Sequence, residues 1–342
     1  MDTAVASPVD TAQSRYYPYE NGKYEVKAGL TKLGAHPVHG VVESHVFMID
    51  EHYRRYLTNK AKVHRTILHG HYLQAALSPV VRAVIPAFMA GKMAAEYPEV
   101  FTWEAERRIL TNKLLGWSGQ MDFESGTVTI LSRQAAPLVD VMADIDPVDA
   151  IDFLALNVME DFAFLARNPL TEDDWLSAVH ISSPHYWDPR DKIGHSFAPV
   201  HRPVADAVPL MATASKIIRA AVEQGPFMRF AWGMAANDLM NHRPDAEHEG
   251  DRTQLGTETD AYWMTQFIRV ERQTLTGFAD LNTAFFTIRP YWYSLTDLMS
   301  EPERMRQLAA AMLTMSPAAM AYKGMTRTRD ALVAFLERHS QP

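Results

Sequence analysis

An α+β fold is predicted by three consecutive β-like segments set between helical stretches. The segments are "FMRFAWGM" (Phe227–Met234), "QFIRVERQTL" (Gln266–Leu275) and "TAFFTIRPYWY" (Thr283–Tyr293). Each is short and rich in aromatic or β-branched residues, and they come one after another, so adjacent antiparallel strands are expected. Apolar residues at helical spacing lie on both sides. Runs of strands and runs of helices without strict alternation favour α+β over α/β. Hydrophobic residues make up 47% of the 342, enough for a sizeable core. The reading is one domain over 16–342 with helical additions at both ends, after a small, polar tail over 1–15.

The other elements are taken in chain order. Tyr53, Tyr56, Leu57, Lys60 and His64 recur at helical spacing, with Asp50 placed to cap the start. Pro79 and Pro86 are expected to break the stretch beyond this helix. "TVTIL" (Thr127–Leu131) reads as a strand after a turn at Gly126. From Pro147, "PVDAIDFLALNVMEDFAFLARN" is expected to be a buried helix stopped at Asn168-Pro169. From Ala207, Leu210, Ala214, Ile217, Ile218 and Ala221 share one face of an amphipathic helix, with Gly225 near its end. The loop between the first two strands of the central block is long and polar. Ser300 and Glu303 have capping-box spacing, ahead of a stripe of Met305, Leu308, Met312 and Met315. A last helix carries Leu332, Phe335 and Leu336.

Charge and composition narrow the function classes. A net charge of −8 argues against nucleic acid or an anionic membrane held by bulk charge. With no cysteine, the chain has no disulfide, no thiolate haem ligand and no cysteine-held iron–sulfur cluster. That fits a reducing compartment, and a cytoplasmic location is expected. No apolar run reaches membrane-spanning length. There is no P-loop, no GxGxxG, no GxSxG and no HExxH. Histidine, present 14 times, is the metal ligand that remains.

Several residues stand out as chemical candidates. In "DKIGHSFAPVHRPV" (Asp191–Val204), prolines at 199 and 203 bracket His201 and stiffen its backbone. A metal-bound imidazole needs such fixing, although a Pro-rich turn would contain the same residues. His195 is the alternative ligand. A chelate of both is a third option, but their spacing is not an established ligand pattern. On a strand, Arg269, Glu271 and Gln273 share one face, with Val270, Arg272 and Thr274 on the other. Two arginines and a carboxylate among apolar segments form either a ligand-binding cluster or a structural salt-bridge network. Arg229 interrupts another apolar strand and either enters a pocket or faces solvent. His185 with Tyr186 and Trp187 reads as a packed loop. His36 and His39 read as a plain loop, His64, His69 and His71 are irregularly spaced, and the Met stripe reads as core.

Five segments then occur in a suggestive order: "MEDFAFL" (Met159–Leu165), "SSPHYWDPRDKIGHSFAPVHRPV" (Ser182–Val204), "RVERQTL" (Arg269–Leu275), "FFTIRPY" (Phe285–Tyr291) and "AYKGM" (Ala321–Met325). Together with the Asp/Tyr/Lys pattern of Ile49–Lys60, they resemble the haem-dependent oxidative N-demethylase family, specifically its haem-binding α-subunit. The resemblance spans roughly residues 15 to 337. It implies a PAS-like antiparallel sheet with helices enclosing haem b, and monooxygenase-type oxidation of a small secondary amine with dioxygen and release of formaldehyde. Electrons would come from NADPH through partner subunits carrying FMN and an iron–sulfur cluster.

The resemblance also implies roles. His201 matches the histidine of the family's H-x-P-V run and would be the iron ligand, with His195 as the fallback. Arg229 would be the distal arginine that hydrogen-bonds bound dioxygen. Arg269, Glu271, Arg272 and Gln273 would be cofactor-proximal scaffold. The chain departs from the family's R-x-N-W pattern, reading Arg229-Phe230-Ala231-Trp232. A substrate bulkier or less polar than dimethylamine is therefore an alternative, as is a non-catalytic haem sensor or binding protein. A third reading is a scaffold subunit without haem. The segment Phe101–Asp149 looks enlarged relative to the family.

Overall fold

The computed structural model describes residues 16–35, 37, 38, 40–245 and 259–341. The expected tail 1–15, His36, His39 and most of the long polar loop after the first central strand lie outside these residues. In chain order, β1 (Thr31–Lys32), β2 (Pro37–Val38) and β3 (Val41–Val42) precede α1 (Tyr53–Ile67), β4 (Tyr72–Gln74) and α2 (Pro79–Glu96). Next come β5 (Phe101–Glu104), β6 (Ile109–Asn112), β7 (Trp117–Met121) and β8 (Val128–Arg133), then α3 (Ala150–Ala155), β9 (Asp161–Arg167) and β10 (Asp174–His180). Helices α4 (Phe197–His201), α5 (Val208–Met211) and α6 (Ala214–Glu223) lead into β11 (Phe227–Ala235). The described chain ends with α7 (Asp260–Met264), β12 (Phe267–Phe278), β13 (Thr283–Ser294), α8 (Leu295–Leu298), α9 (Pro302–Leu313), α10 (Pro317–Tyr322) and α11 (Arg329–His339).

The main sheet has the order β1-β11-β12-β13-β9-β10-β4, and every neighbouring pair is antiparallel. A hairpin, β9–β10, is succeeded by a three-strand meander whose last strand returns to pair with β9. The three expected central strands are β11, β12 and β13, and the α+β class holds. A second antiparallel meander, β5 to β8, fills the Phe101–Asp149 segment.

Some sequence expectations are corrected. "MEDFAFL" is not helical; Asp161–Arg167 is a central strand buried at every position. A strand covered on both faces carries a continuous apolar run, and such a run has no period to separate it from a buried helix. Helix α2 starts at Pro79 and runs through the buried Pro86. The N-cap of α1 is His52 and not Asp50, but Asp50 holds the helix start as expected: Oδ1 accepts from His52 N at 2.9 Å while Oδ2 accepts from Arg289. Ser300 and Glu303 form no capping box; the hydroxyl donates to Asp297 O and Glu303 pairs with Arg306. The helix expected from Ala207 is divided into α5 and α6.

The sheet face opposite the β11–β12 polar cluster is fastened by buried ions. Arg289 donates to Asp50 Oδ2 at 2.9 Å and lies over the rings of Tyr56 and Tyr291 at 3.7 and 4.4 Å. Arg272 pairs with Glu43 at 3.0 Å. Lys60 of α1 donates to the Glu160 carbonyl at 2.6 Å and lies 3.9 Å from Asp161. These groups tie α1 and the preceding segment to the sheet. Burial raises the Glu160 carboxyl from the ordinary 4.5 to about 7, against the pull of Arg289 and Arg272.

Two outcomes are expected. Asp50→Ala strands the Arg289 guanidinium in the interior and should cost about 3–5 kcal/mol in urea unfolding. Glu160 is harder to ionise in the folded chain than in the unfolded one. Its contribution is therefore fully present below about pH 4.5 and lost as pH rises through about 7. Glu160→Gln should flatten that part of the profile, so its urea midpoint falls less than that of the unsubstituted chain between pH 5 and pH 8.

Candidate functional site

The register of β11 against β12 places Arg229 opposite Gln273, Ala231 opposite Glu271 and Gly233 opposite Arg269. Side chains alternate along a strand, so these six residues share one face of the sheet. Leu275, Phe286, Ile288 and Ala163 extend the same face as an apolar floor. Arg269 donates to Glu271 Oε1 at 3.0 Å and to Ser183 O at 2.6 Å, with its guanidinium 4.9 Å from the centre of the Trp292 ring. Gln273 donates its amide to Glu271 Oε2 at 2.9 Å. Arg229 makes one long bond, 3.3 Å to Lys27 O.

This cluster is not satisfied internally. Arg229 Nε, Arg269 Nη1 and Gln273 Oε1 are buried and make no hydrogen bond. A buried donor left unpaired costs about 1–3 kcal/mol, more when it is charged. Two arginines face one carboxylate, so the face carries excess positive charge. These features fit a ligand with anionic oxygens, such as the carboxylates of a haem. Burial lowers the Arg229 pKa, with the nearby Glu271 opposing the shift.

The face is covered by the chain between β10 and β11. Trp187 and Ile193 join Phe286 and Ile288 in packing against the cluster of Ala163, Val179 and Ile181, and Phe197 packs against the cluster that holds Leu165 and Leu275. Helix α6 lies so close to β12 that a side chain at Gly277 would meet Val222 O at 2.2 Å. His201 ends α4, half-buried, with its ring stacked on Phe197 at 4.0 Å. Its Nδ1 is 2.8 Å from Phe197 O. A carbonyl only accepts, so Nδ1 carries the proton. Burial lowers the His201 pKa, as do the Arg229 and Lys192 charges, while the bond to Phe197 O opposes them. In this tautomer the neutral ring has its lone pair on Nε2.

The other sequence candidates fall elsewhere. His195 lies in a turn against β10 with its side chain exposed. Arg272 is on the opposite sheet face, paired with Glu43. Arg229, Arg269, Glu271 and Gln273 are brought together, and the Arg229 charge reaches His201. No set of three or more His, Asp or Glu among the described residues is arranged to hold a metal ion. No described helix is long and apolar enough to cross a membrane.

Sequence reasoning missed two buried clusters. Asp152 accepts from His64 at 3.1 Å and His180 at 2.9 Å, joining α1, α3 and β10. Asp161 holds the Ser182–Ser183 turn through both carboxylate oxygens. Asp152 inside the apolar "AIDFLA" and the adjacent acids of "MEDFAFL" were the available signals, since a buried charge requires a partner.

One comparison bears on the whole arrangement. Residues 38–333 match the family described as haem-dependent oxidative N-demethylase, alpha subunit-like. The match takes in both faces of the main sheet, the β5–β8 meander and the segment carrying His201. The chain belongs to the haem-dependent oxidative N-demethylase, alpha subunit-like family.

Proposed function

We propose that this chain is the haem-binding catalytic subunit of an oxidative N-demethylase, with His201 Nε2 as the iron ligand. The observation that carries this reading is the His201 ring, whose Nδ1 donates to Phe197 O on the same side of the sheet as three orphaned polar atoms. Metal-bound histidines nearly always donate their second nitrogen in this way. The group bound there is haem b, in a PAS-like domain formed by the β9–β10 hairpin and the β11–β13 meander. Support for that part comes from the antiparallel order of these strands and the helical cover over one face.

Haem supplies the iron at which dioxygen is activated and the N-alkyl carbon oxidised, as a monooxygenase. Arg229 and Arg269 hold anionic oxygens and keep the site cationic. Glu271 is fixed by Arg269 and Gln273 and sets the charge balance that an amine meets on entering. Phe286, Ile288 and Ala163 exclude water beneath a small N-alkyl group. Electrons come from NADPH through partner subunits bearing FMN and an iron–sulfur cluster, because a chain without cysteine holds no thiolate-bound cluster of its own. The setting is cytoplasmic.

After haem supplementation, the protein should show a Soret band that His201→Ala abolishes or shifts to a weakly ligated form. Persistence of the normal band in that variant would remove His201 from the iron. With a secondary methylamine and a chemical reductant, oxygen uptake should be matched by formaldehyde. Arg229→Gln should lower that turnover by about 10²–10³-fold, as removal of a preorganised donor does, with the Soret band retained.

A further inference from the structure

We propose that residues 190–206 form a hinged strap over the open face of the main sheet, latched closed through Asp174 and lifting as a unit to let a ligand reach that face. Haem as the ligand admitted rests on the reading above; the lifting itself does not. The need for movement is steric. Ile193 and Phe197 of the strap pack directly on the apolar clusters that include Ala163, Leu165 and Leu275. Protein interiors are close-packed, so a planar group the size of haem cannot share a layer with side chains already seated there. Arg229 Nε, Arg269 Nη1 and Gln273 Oε1 lie on the same face, buried and without hydrogen bonds.

Local anchorage separates the part of the cover that moves from the parts that stay. On the N-terminal side the chain is fixed. Asp161 of β9 accepts from Ser182 N at 2.8 Å, Ser182 Oγ at 2.6 Å and Ser183 N at 2.7 Å. Asp188 and Pro189 are buried, and Trp187 stays with this fixed part. On the C-terminal side Ala207 and Leu210 are buried, and α6 is seated so closely on β12 that Gly277 has no room for a side chain. Between these anchors no residue from 190 to 206 is fully buried, and α4 runs for only five residues. A segment with few buried groups opens locally at far lower cost than the strands beneath it.

Three bonds to β10 hold the middle of the strap down. Phe197 N donates to Asp174 Oδ2 at 2.6 Å, Gly194 N to Leu176 O at 2.9 Å and Leu176 N to His195 O at 3.0 Å. Ser196, the N-cap of α4, makes no side-chain cap bond, so the Asp174 carboxylate takes that part. At the two ends, Arg190 pairs with Asp245 and Asp206 accepts from Ser316, which leaves the hinges tethered. His201 rides on the strap, whereas Arg229, Arg269 and Gln273 stand on β11 and β12. Lifting parts the histidine from the polar cluster. Closing returns it over whatever the cluster holds, and a ligand bound by both would lock the strap down.

The chain has no cysteine, so a single introduced thiol can report the opening. Ala163→Cys places it beneath the strap, and Ala178→Cys places it on the opposite sheet face as a reference for general unfolding. Both alanines are buried, at 4% and 0% exposure. Labelling by a soluble aromatic disulfide in native buffer should be about tenfold or more faster in the first variant than in the second. Adding Asp174→Ala should raise the Ala163→Cys rate about tenfold again and leave the Ala178→Cys rate unchanged. Asp174→Asn, which keeps a carbonyl acceptor, should fall between. Equal rates in the two thiol variants, or an equal rise in both with Asp174→Ala, would overturn the strap. Haem should slow labelling of Ala163→Cys alone. Haem that binds, as shown by its Soret band, and leaves that rate unchanged would overturn its entry beneath the strap. A protein that takes up no haem would end the haem reading, with the strap still judged by the two labelling rates.

Discussion

The antiparallel pairing of β12 with β11 and β13 is the constraint on which the rest depends. This strand carries Arg269, Glu271, Arg272 and Gln273, and its register decides which side of the sheet each one meets. A slip of one residue would exchange the faces. Arg272 would then enter the ligand side, Glu43 would lose its partner, and Glu271 would be driven into the packed layer beneath α1. Correct pairing is enforced from both sides at once, by the Arg272–Glu43 ion pair below and by the Arg269–Glu271–Gln273 chain above.

These two polar layers have different characters. Below the sheet, Arg272 and Arg289 have carboxylate partners and aromatic or carbonyl neighbours, and both are fully buried. Breaking such a pair is costly, although apolar residues of the same shape often stabilise as well or better. Its contribution is therefore to placement as much as to stability: α1 and the segment before it are held at one height on β13 and β9. Above the sheet, the cluster is unfinished, with donors and an acceptor left open on one surface. Orphaned atoms occur below as well, at Arg289 Nε and Glu160 Oε2, so what sets the upper face apart is two guanidinium groups against one carboxylate.

Much of this was legible in the sequence where polar residues interrupt an apolar period. The alternation in "RVERQTL" correctly separated Arg269, Glu271 and Gln273 from Arg272 onto two faces, and the meander β11–β13 was expected from strand-like composition. The faces alone did not say which one was open. The resemblance grouped Arg272 with the other three, and its partner Glu43, 229 residues away, could not be read from the sequence. The same distance problem hid the His64–Asp152–His180 cluster. "MEDFAFL" failed for another reason: a doubly buried strand erases the alternation that identifies strands.

Electrostatics connect the open face to His201. Two unit charges about 4 Å apart interact by about 4 kcal/mol at the effective dielectric typical of protein surfaces, and the effect falls with distance. Even a fraction of that, exerted by Arg229 on a half-buried imidazole, opposes its protonation and adds to the cost of desolvating a cation. An arginine placed there has two consequences: it offers a donor to anionic oxygens, and its charge works against protonation of His201. Lysine would be a poorer choice, since its ammonium can lose its proton when buried and has no planar fork for a carboxylate. Arg229, which interrupts an otherwise apolar strand, thus bears on His201 as well as on the polar cluster of its own face.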